Sequence, residues 1–385
     1  MTDKRETRAW VDIDLDALAH NYHALRDWTS HSGGEQVKLL GMVKANAYGH
    51  GAVAISRKLQ ELGADMLAVA CLAEAVELRQ AGITIPILCL GQTPVELAGD
   101  LMDYDVTQTV GDLELGRALS AAAQAAGKEL SIHIKLDTGM GRLGFMWREG
   151  CQAQTVAEIK ALCALPGLRA EGLYTHFAAA DEDVDYTELQ GRRFQEARAV
   201  LEQAGIDLKN YHCASSAAVL NYPWTHMTAI RPGIAMYGHY PDPASEIRGE
   251  PRLTPVMTLK ARVTSVRTMP VGAKLGYGCT ATLTRQSRIA VLSIGYADGL
   301  PRTLSNKLQV KLHGIPCPIL GRICMDMCMA DVTVAPQVQV GDAAVIYDKD
   351  LNQIAELAGT ITDELVCRVT SRVPRVYWEH GTRIP

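Results

Sequence analysis

An alternation running from residue 37 to residue 233 constrains this chain more than any single motif. Short, apolar, β-rich runs occur at VKLLGMV (37–43), MLAVAC (66–71), IPILCLG (85–91), DVTQTV (105–110), LSIHIKLD (130–137), LRAEGLYTHF (168–177), NYHCA (210–214) and MTAIRPG (227–233). Between them lie amphipathic stretches such as AVAISRKLQEL (52–62), DLELGRALSAAAQAAG (112–127) and YTELQGRRFQEARAVLEQAG (186–205), several closed by the Gly that commonly stops a helix. Parallel strands need a crossover of about a dozen residues, which a helix supplies. Eight strand-then-helix units predict a closed (β/α)8 barrel of the TIM type, an α/β fold, and fit an open doubly wound sheet less well.

The texture changes near residue 246. DPASEIRGEPRLTP reads as a loop, and the runs after it are strand-like, broken by one helical pattern at LNQIAELAG (351–359). The expected organisation is a cofactor-binding barrel over residues 12–245 and a β-rich C-terminal domain over 246–385, with residues 1–11 packing against the second. A length of 385 residues excludes one small module, and 48% hydrophobic against 21% charged residues suits a large core. A net charge of -5 leaves no basic footprint for nucleic acid or an anionic membrane, so the expected partner is a small molecule. The charged start lacks an apolar signal core, and no run reaches the roughly 18 apolar residues of a membrane span; a cytoplasmic location is the expectation. The 10 cysteines form no CxxC pair and sit mostly in apolar runs, which points to reduced thiols rather than zinc or redox chemistry.

In a (β/α)8 barrel the working residues follow the strands at the C-terminal face, and phosphate groups are held after strands seven and eight. Those positions carry VKANAYGHG (43–51), DTGMGRLG (137–144), THF (175–177), CASSAA (213–218) and RPGIA (231–235). Lys44 directly follows an apolar strand, where desolvation lowers an amine's pKa and frees it to form an imine with a carbonyl. A lysine at a strand end can equally snorkel to water, but the small residues and glycines around this one let a ligand approach the backbone. GMGRLG (139–144) satisfies the dinucleotide pattern GxGxxG, yet the next strand ends in Tyr174, Thr175 and His176 where that fold wants an acidic residue. Arg142 in this glycine loop reads better as a fork for a carboxylate. His176 is either a satisfied core histidine or a relay beside Arg142 and Arg231. Ser216 with the amides of Gly233 and Ile234 has the placement of a phosphate cradle, although Ser216 alone is also a plain helix cap.

Together VKANAYGHG, KLDTGMGRLG, RPGIAMYG, GYADGLPR and GRICMDM resemble, in order and across both domains, the alanine racemase family of pyridoxal-phosphate enzymes. The resemblance implies an isomerase that interconverts L- and D-alanine for peptidoglycan, working as a head-to-tail homodimer with shared active sites and pyridoxal 5'-phosphate as cofactor. It implies that Lys44 carries the cofactor covalently and that Tyr277 comes from the other subunit, the two acting as opposed bases, Lys44 on the D face and Tyr277 on the L face. Arg231 corresponds to the arginine facing the pyridine nitrogen; Tyr48, His176, Ser216, Gly233 and Ile234 to cofactor contacts; Arg142, Tyr296 and Met325 to residues around the substrate; Lys135 to a lysine often carbamylated. Ser215, Leu300 and Met327 depart from the usual pattern, and Asp363 stands where the family has a tyrosine that touches the phosphate and narrows the pocket. A smaller, polar residue there predicts room for serine beside alanine, with Asp363 as a substrate contact. The competing readings are an enzyme mainly for serine and a barrel decarboxylase of a basic amino acid, which would want an acidic residue where Arg231 stands.

Overall fold

The computed structural model describes residues 7–30 and 37–384. The chain opens with strand β1 (Ala9–Asp14) and a helix, Leu15–Ser30, and then enters the barrel. Its eight strands are β2 (Lys38–Met42), β3 (Met66–Val69), β4 (Ile87–Cys89), β5 (Val106–Val110), β6 (Leu130–Asp137), β7 (Leu168–Tyr174), β8 (Asn210–His212) and β9 (Ala229–Ile230). All run parallel, neighbour to neighbour, and the sheet closes where β9 pairs with β2, Ala229 opposite Lys38. Every run read as a strand is present. The last is much shorter than its apolar stretch, because Arg231, Pro232 and Gly233 leave the ladder to build a loop at the C-terminal face.

Burial on both faces is what makes these strands read as apolar runs; all four residues of β3, MLAV, are buried. Leu40, Met66, Leu88 and Ala229 form a small apolar cluster of their own. Toward the C-terminal face the buried side chains become polar: Gln108, Thr109, His133, Lys135 and His212. The outer helices carry ordinary stops and starts, such as the Asp112 and Asp183 carboxylates that accept the Leu115 and Tyr186 amides at helix N-termini.

The second domain is built on β10 (Met257–Met269). β1 lies in this sheet, antiparallel to β10 with Ile13 opposite Met257, and parallel to β11 (Arg375–Glu379) with Val11 opposite Arg375. Residues 9–14 therefore belong to the C-terminal sheet, including three from the span expected in the barrel, and residues 1–6 lie outside the described residues. The loop expected at DPASEIRGEPRLTP contains a short helix, Pro243–Arg248, across the 245/246 boundary. Its loop-like composition is capping chemistry: the Asp242 carboxylate accepts the Ser245 amide at 2.8 Å, Pro243 opens the helix and Gly249 closes it. All ten cysteines are free thiols. Among the described residues no helix is long and apolar enough to cross a membrane, and no cluster of metal-ligating side chains occurs.

Candidate active site

Lys44 lies two residues past the end of β2 and begins an unusual turn. Ala45, Asn46, Ala47 and Tyr48 all have positive φ, from 51° to 55°. A left-handed turn of non-glycine residues costs about 1–2 kcal/mol per residue, so neighbouring contacts must hold it. The Asn46 carboxamide oxygen accepts the Ala52 amide at 2.7 Å, and one Glu74 oxygen accepts the Ala45 amide at 2.6 Å. His50 Nδ1 donates to the carbonyls of Tyr48 and Ala47 at 2.8 and 3.0 Å, which places its proton on Nδ1. Burial holds the His50 pKa down at about 3, so the ring stays neutral. The second domain grips the same turn: Arg375 Nε donates to the Gly49 carbonyl at 2.9 Å, and a Cβ on Gly51 would meet the Tyr377 hydroxyl at 1.9 Å.

Opposite the turn, Arg231 is buried and donates to His212 Nδ1 at 2.6 Å and to the Thr175 carbonyl at 2.8 Å. A guanidinium only donates, so His212 Nδ1 is the acceptor and the proton of a neutral ring sits on Nε2. That nitrogen faces His133 Nδ1 at 2.9 Å, and donation continues in one direction, Arg231 to His212 to His133. Burial, then the Arg231 charge, lowers both histidine pKa values, that of His133 to about 3. His176 lies 3.5 Å from Arg231 and is pushed down for the same two reasons.

Ser216 Oγ accepts the amides of Gly233 and Ala235 at 2.9 and 3.2 Å, drawing the end of β9 against the helix Ser216–Asn221. A Cβ at Gly233 would stand 2.5 Å from the Tyr48 hydroxyl, so only glycine lets that phenol approach the cradle. In the glycine loop, Asp137 Oδ1 accepts the amides of Gly139 and Gly141 at 2.9 and 3.0 Å. The loop runs into a two-residue strand, Phe145–Met146, instead of opening a helix, so the GxGxxG spacing serves a tight turn rather than a pyrophosphate.

These elements enclose a cavity of ≈ 940 Å³ lined by Lys44, Tyr48, Lys135, Arg142, His176, Ser216, Arg231, Gly233, Ile234 and Asp363. Four cationic side chains face it, and the Lys135 pKa is lowered to about 7 by burial and then by Arg231 and Arg142. Asp363 sits one residue into the short helix Thr362–Cys367, with its carboxyl pKa raised by burial. Three expected site residues lie outside the cavity: Tyr277, Met325 and Tyr296 are 71%, 52% and 42% exposed on the second domain. They occupy one surface, because the Tyr296 amide bonds to the Cys324 carbonyl at 3.0 Å and Arg322 packs on Gly278.

The profile of the alanine racemase N-terminal domain matches residues 13–241, and that of the C-terminal domain matches residues 256–377. The chain belongs to the alanine racemase family. It is 45% identical to the alanine racemase of Desulforamulus reducens over 96% of this chain and 98% of that one. The alanine racemase of Methanococcus maripaludis is 44% identical, over 96% and 98%. Among solved structures, alanine racemase from Clostridium difficile 630 superposes with a TM-score of 0.91 at 36% identity, covering 98% of this chain and 97% of that one. Several residues in this alanine racemase site carry no sequence signal that singles them out. Glu74, His133, His212 and Arg375 look like helix, core and strand residues, and only the folded chain brings them to Lys44 and Arg231.

Proposed function

We propose that this chain interconverts L- and D-alanine with pyridoxal 5'-phosphate held in the cavity, and that a second copy of the chain completes each site. The observation that carries this reading is the separation of Lys44, inside the cavity with Arg231 and Arg142, from Tyr277, exposed on the second domain. The cavity fits the cofactor: an amine for its aldehyde at Lys44, a cradle at Ser216, Gly233 and Tyr48 for its phosphate, and the buried donor Arg231 for its ring nitrogen. When bound, pyridoxal phosphate supplies the electron-withdrawing ring that acidifies the substrate α-carbon.

Lys44 Nζ then takes or returns the α-proton on the D face, and the partner subunit's Tyr277 does so on the L face. Arg142 forks the substrate carboxylate. Arg231, a guanidinium that only donates and is held by His212, would face the ring nitrogen and keep it unprotonated. Lys135, with a pKa of about 7, has a large neutral fraction, and a neutral amine is the form that adds carbon dioxide to give a carbamate beside Arg142. Tyr296 and Met325 of the partner subunit would close the substrate side. A homodimer in the cytoplasm supplying D-alanine for peptidoglycan is the setting this reading implies.

One observation favours serine as a second substrate: Asp363 puts a small carboxylate, rather than a phenol, on the cavity wall near Lys44. A substrate hydroxymethyl group has both room and an acceptor there. The direct experiment is to incubate the purified protein, loaded with pyridoxal phosphate, with each enantiomer of alanine. Conversion in both directions, abolished in Lys44→Ala, supports the reading; a yellow, loaded protein that converts neither enantiomer contradicts it.

A further inference from the structure

We propose that Glu74 is a positioning residue for Lys44: its carboxylate locks the peptide between Lys44 and Ala45 in the one orientation that the left-handed turn permits. This rests on the reading that Lys44 is the working amine. Glu74 lies in the helix Leu72–Gln80 that follows β3, and it spans two adjacent strand ends. One oxygen accepts the Ala45 amide at 2.6 Å and the other accepts the Ala70 amide at 2.7 Å. Ala70 and Lys44 both line the cavity.

The Ala45 amide is the peptide immediately after Lys44, so its orientation fixes ψ of Lys44 and φ of Ala45 together. Ala45 has φ 53° and ψ 49°, a conformation an alanine leaves readily when its peptide is free to turn over. Turning that peptide would relax φ of Ala45 to a negative value, and it would replace the N–H facing Glu74 by the Lys44 carbonyl oxygen. A carboxylate accepts the first and repels the second, so Glu74 selects the strained orientation. The turn has other anchors, at Asn46, at the His50 ring and at Arg375, but they hold later parts of it. Glu74 is the one that bonds the amide directly after the lysine.

A carboxylate in the first turn of a helix also has an ordinary role, satisfying amides at the helix start. That role predicts an effect on stability alone. Glu74→Gln separates the two, because its carboxamide keeps the shape and one acceptor but presents an NH2 that favours the turned-over peptide by donating to the Lys44 carbonyl. Three readouts are taken on the full-length protein. Amide hydrogen exchange of the cofactor-free protein should rise roughly tenfold in the segment 43–51 and stay at wild-type rates in the other barrel segments. Cofactor release should speed up roughly tenfold, and kcat should fall by a similar factor with KM for alanine little changed. Glu74→Asp, which keeps the charge, should fall between wild type and Glu74→Gln.

Hydride reduction of the loaded wild-type protein followed by peptide mapping tests the Lys44 reading separately: a label elsewhere than Lys44 overturns that reading and the proposal with it. With the label on Lys44, wild-type exchange and cofactor release in Glu74→Gln overturn the proposal alone. Exchange that rises through the whole barrel also overturns it, since the carboxylate would then be a general stability element.

Discussion

Arg231 and His212 meet at 2.6 Å with the guanidinium as the only possible donor, and this contact sets the proton positions of the histidines behind it. His212 must accept on Nδ1 and donate from Nε2, and His133 Nδ1 must accept. Replacing His133 with Leu leaves the His212 Nε2 proton buried without an acceptor, which costs about 1–3 kcal/mol. The expected result is a lower Tm and a loosened Arg231. His133→Asn, whose side-chain oxygen can accept in place of Nδ1, should recover part of both.

The buried histidines also set an acid limit on stability. His50 and His133 are held down to about 3 and His239 to about 4 in the folded chain, against about 6.5 unfolded. Below about 6.5 the unfolded state binds protons that the folded state refuses, so these groups make stability fall as pH drops from about 6.5 toward 4; above 6.5 they contribute no slope. Tm measured from pH 8 to pH 4.5 should be flat at first and then decline. His50→Phe should shallow the decline, and an equal slope in that variant would show that His50 does not titrate as described.

Lys135 titrates near pH 7 because burial and two arginines oppose its charge. Carbamate formation joins the neutral amine to carbon dioxide with loss of a proton, so at a fixed concentration of dissolved carbon dioxide the modification should increase as pH rises through 7 and be lost below it. Intact mass measured across that range should show one added carbon dioxide in wild type and none in Lys135→Gln. The variant should also bind substrate more weakly, since the carbamate proposed to stand beside Arg142 would be missing.

The proposed role of Asp363 in substrate range is open to direct test, since its side chain lines the cavity. Asp363→Tyr should lower the serine-to-alanine ratio of kcat/KM and slow cofactor loss, because the phenol fills the space beside the substrate side chain and gives the phosphate a donor in place of a carboxylate. A ratio that does not fall would remove Asp363 as the determinant.

The barrel is legible in the sequence because its strands are buried on both faces and its helices carry Asp caps and Gly stops, all local signals. The Lys44 turn is not. Four non-glycine residues at positive φ contradict their own preferences, and the contacts that hold them come from as far away as Arg375. The helix Pro243–Arg248 looks like a loop in the sequence because Asp, Pro and Gly mark short capped helices and turns alike. Lys44 and Arg231 stand out after strands and Arg142 in a glycine loop, whereas Glu74 reaches Ala45 and His133 reaches His212 across 29 and 79 positions.

The central claim, that each site takes Lys44 from one copy and Tyr277 from another, is tested most directly by mixing two inactive proteins. Lys44→Ala and Tyr277→Phe subunits are unfolded together, refolded and assayed for alanine racemisation beside each parent. A mixed pair holds one site with both substitutions and one with neither, so random re-pairing should restore about a quarter of wild-type activity and purified heterodimers about half. Heterodimers verified by mass that remain as inactive as their parents would contradict the shared site.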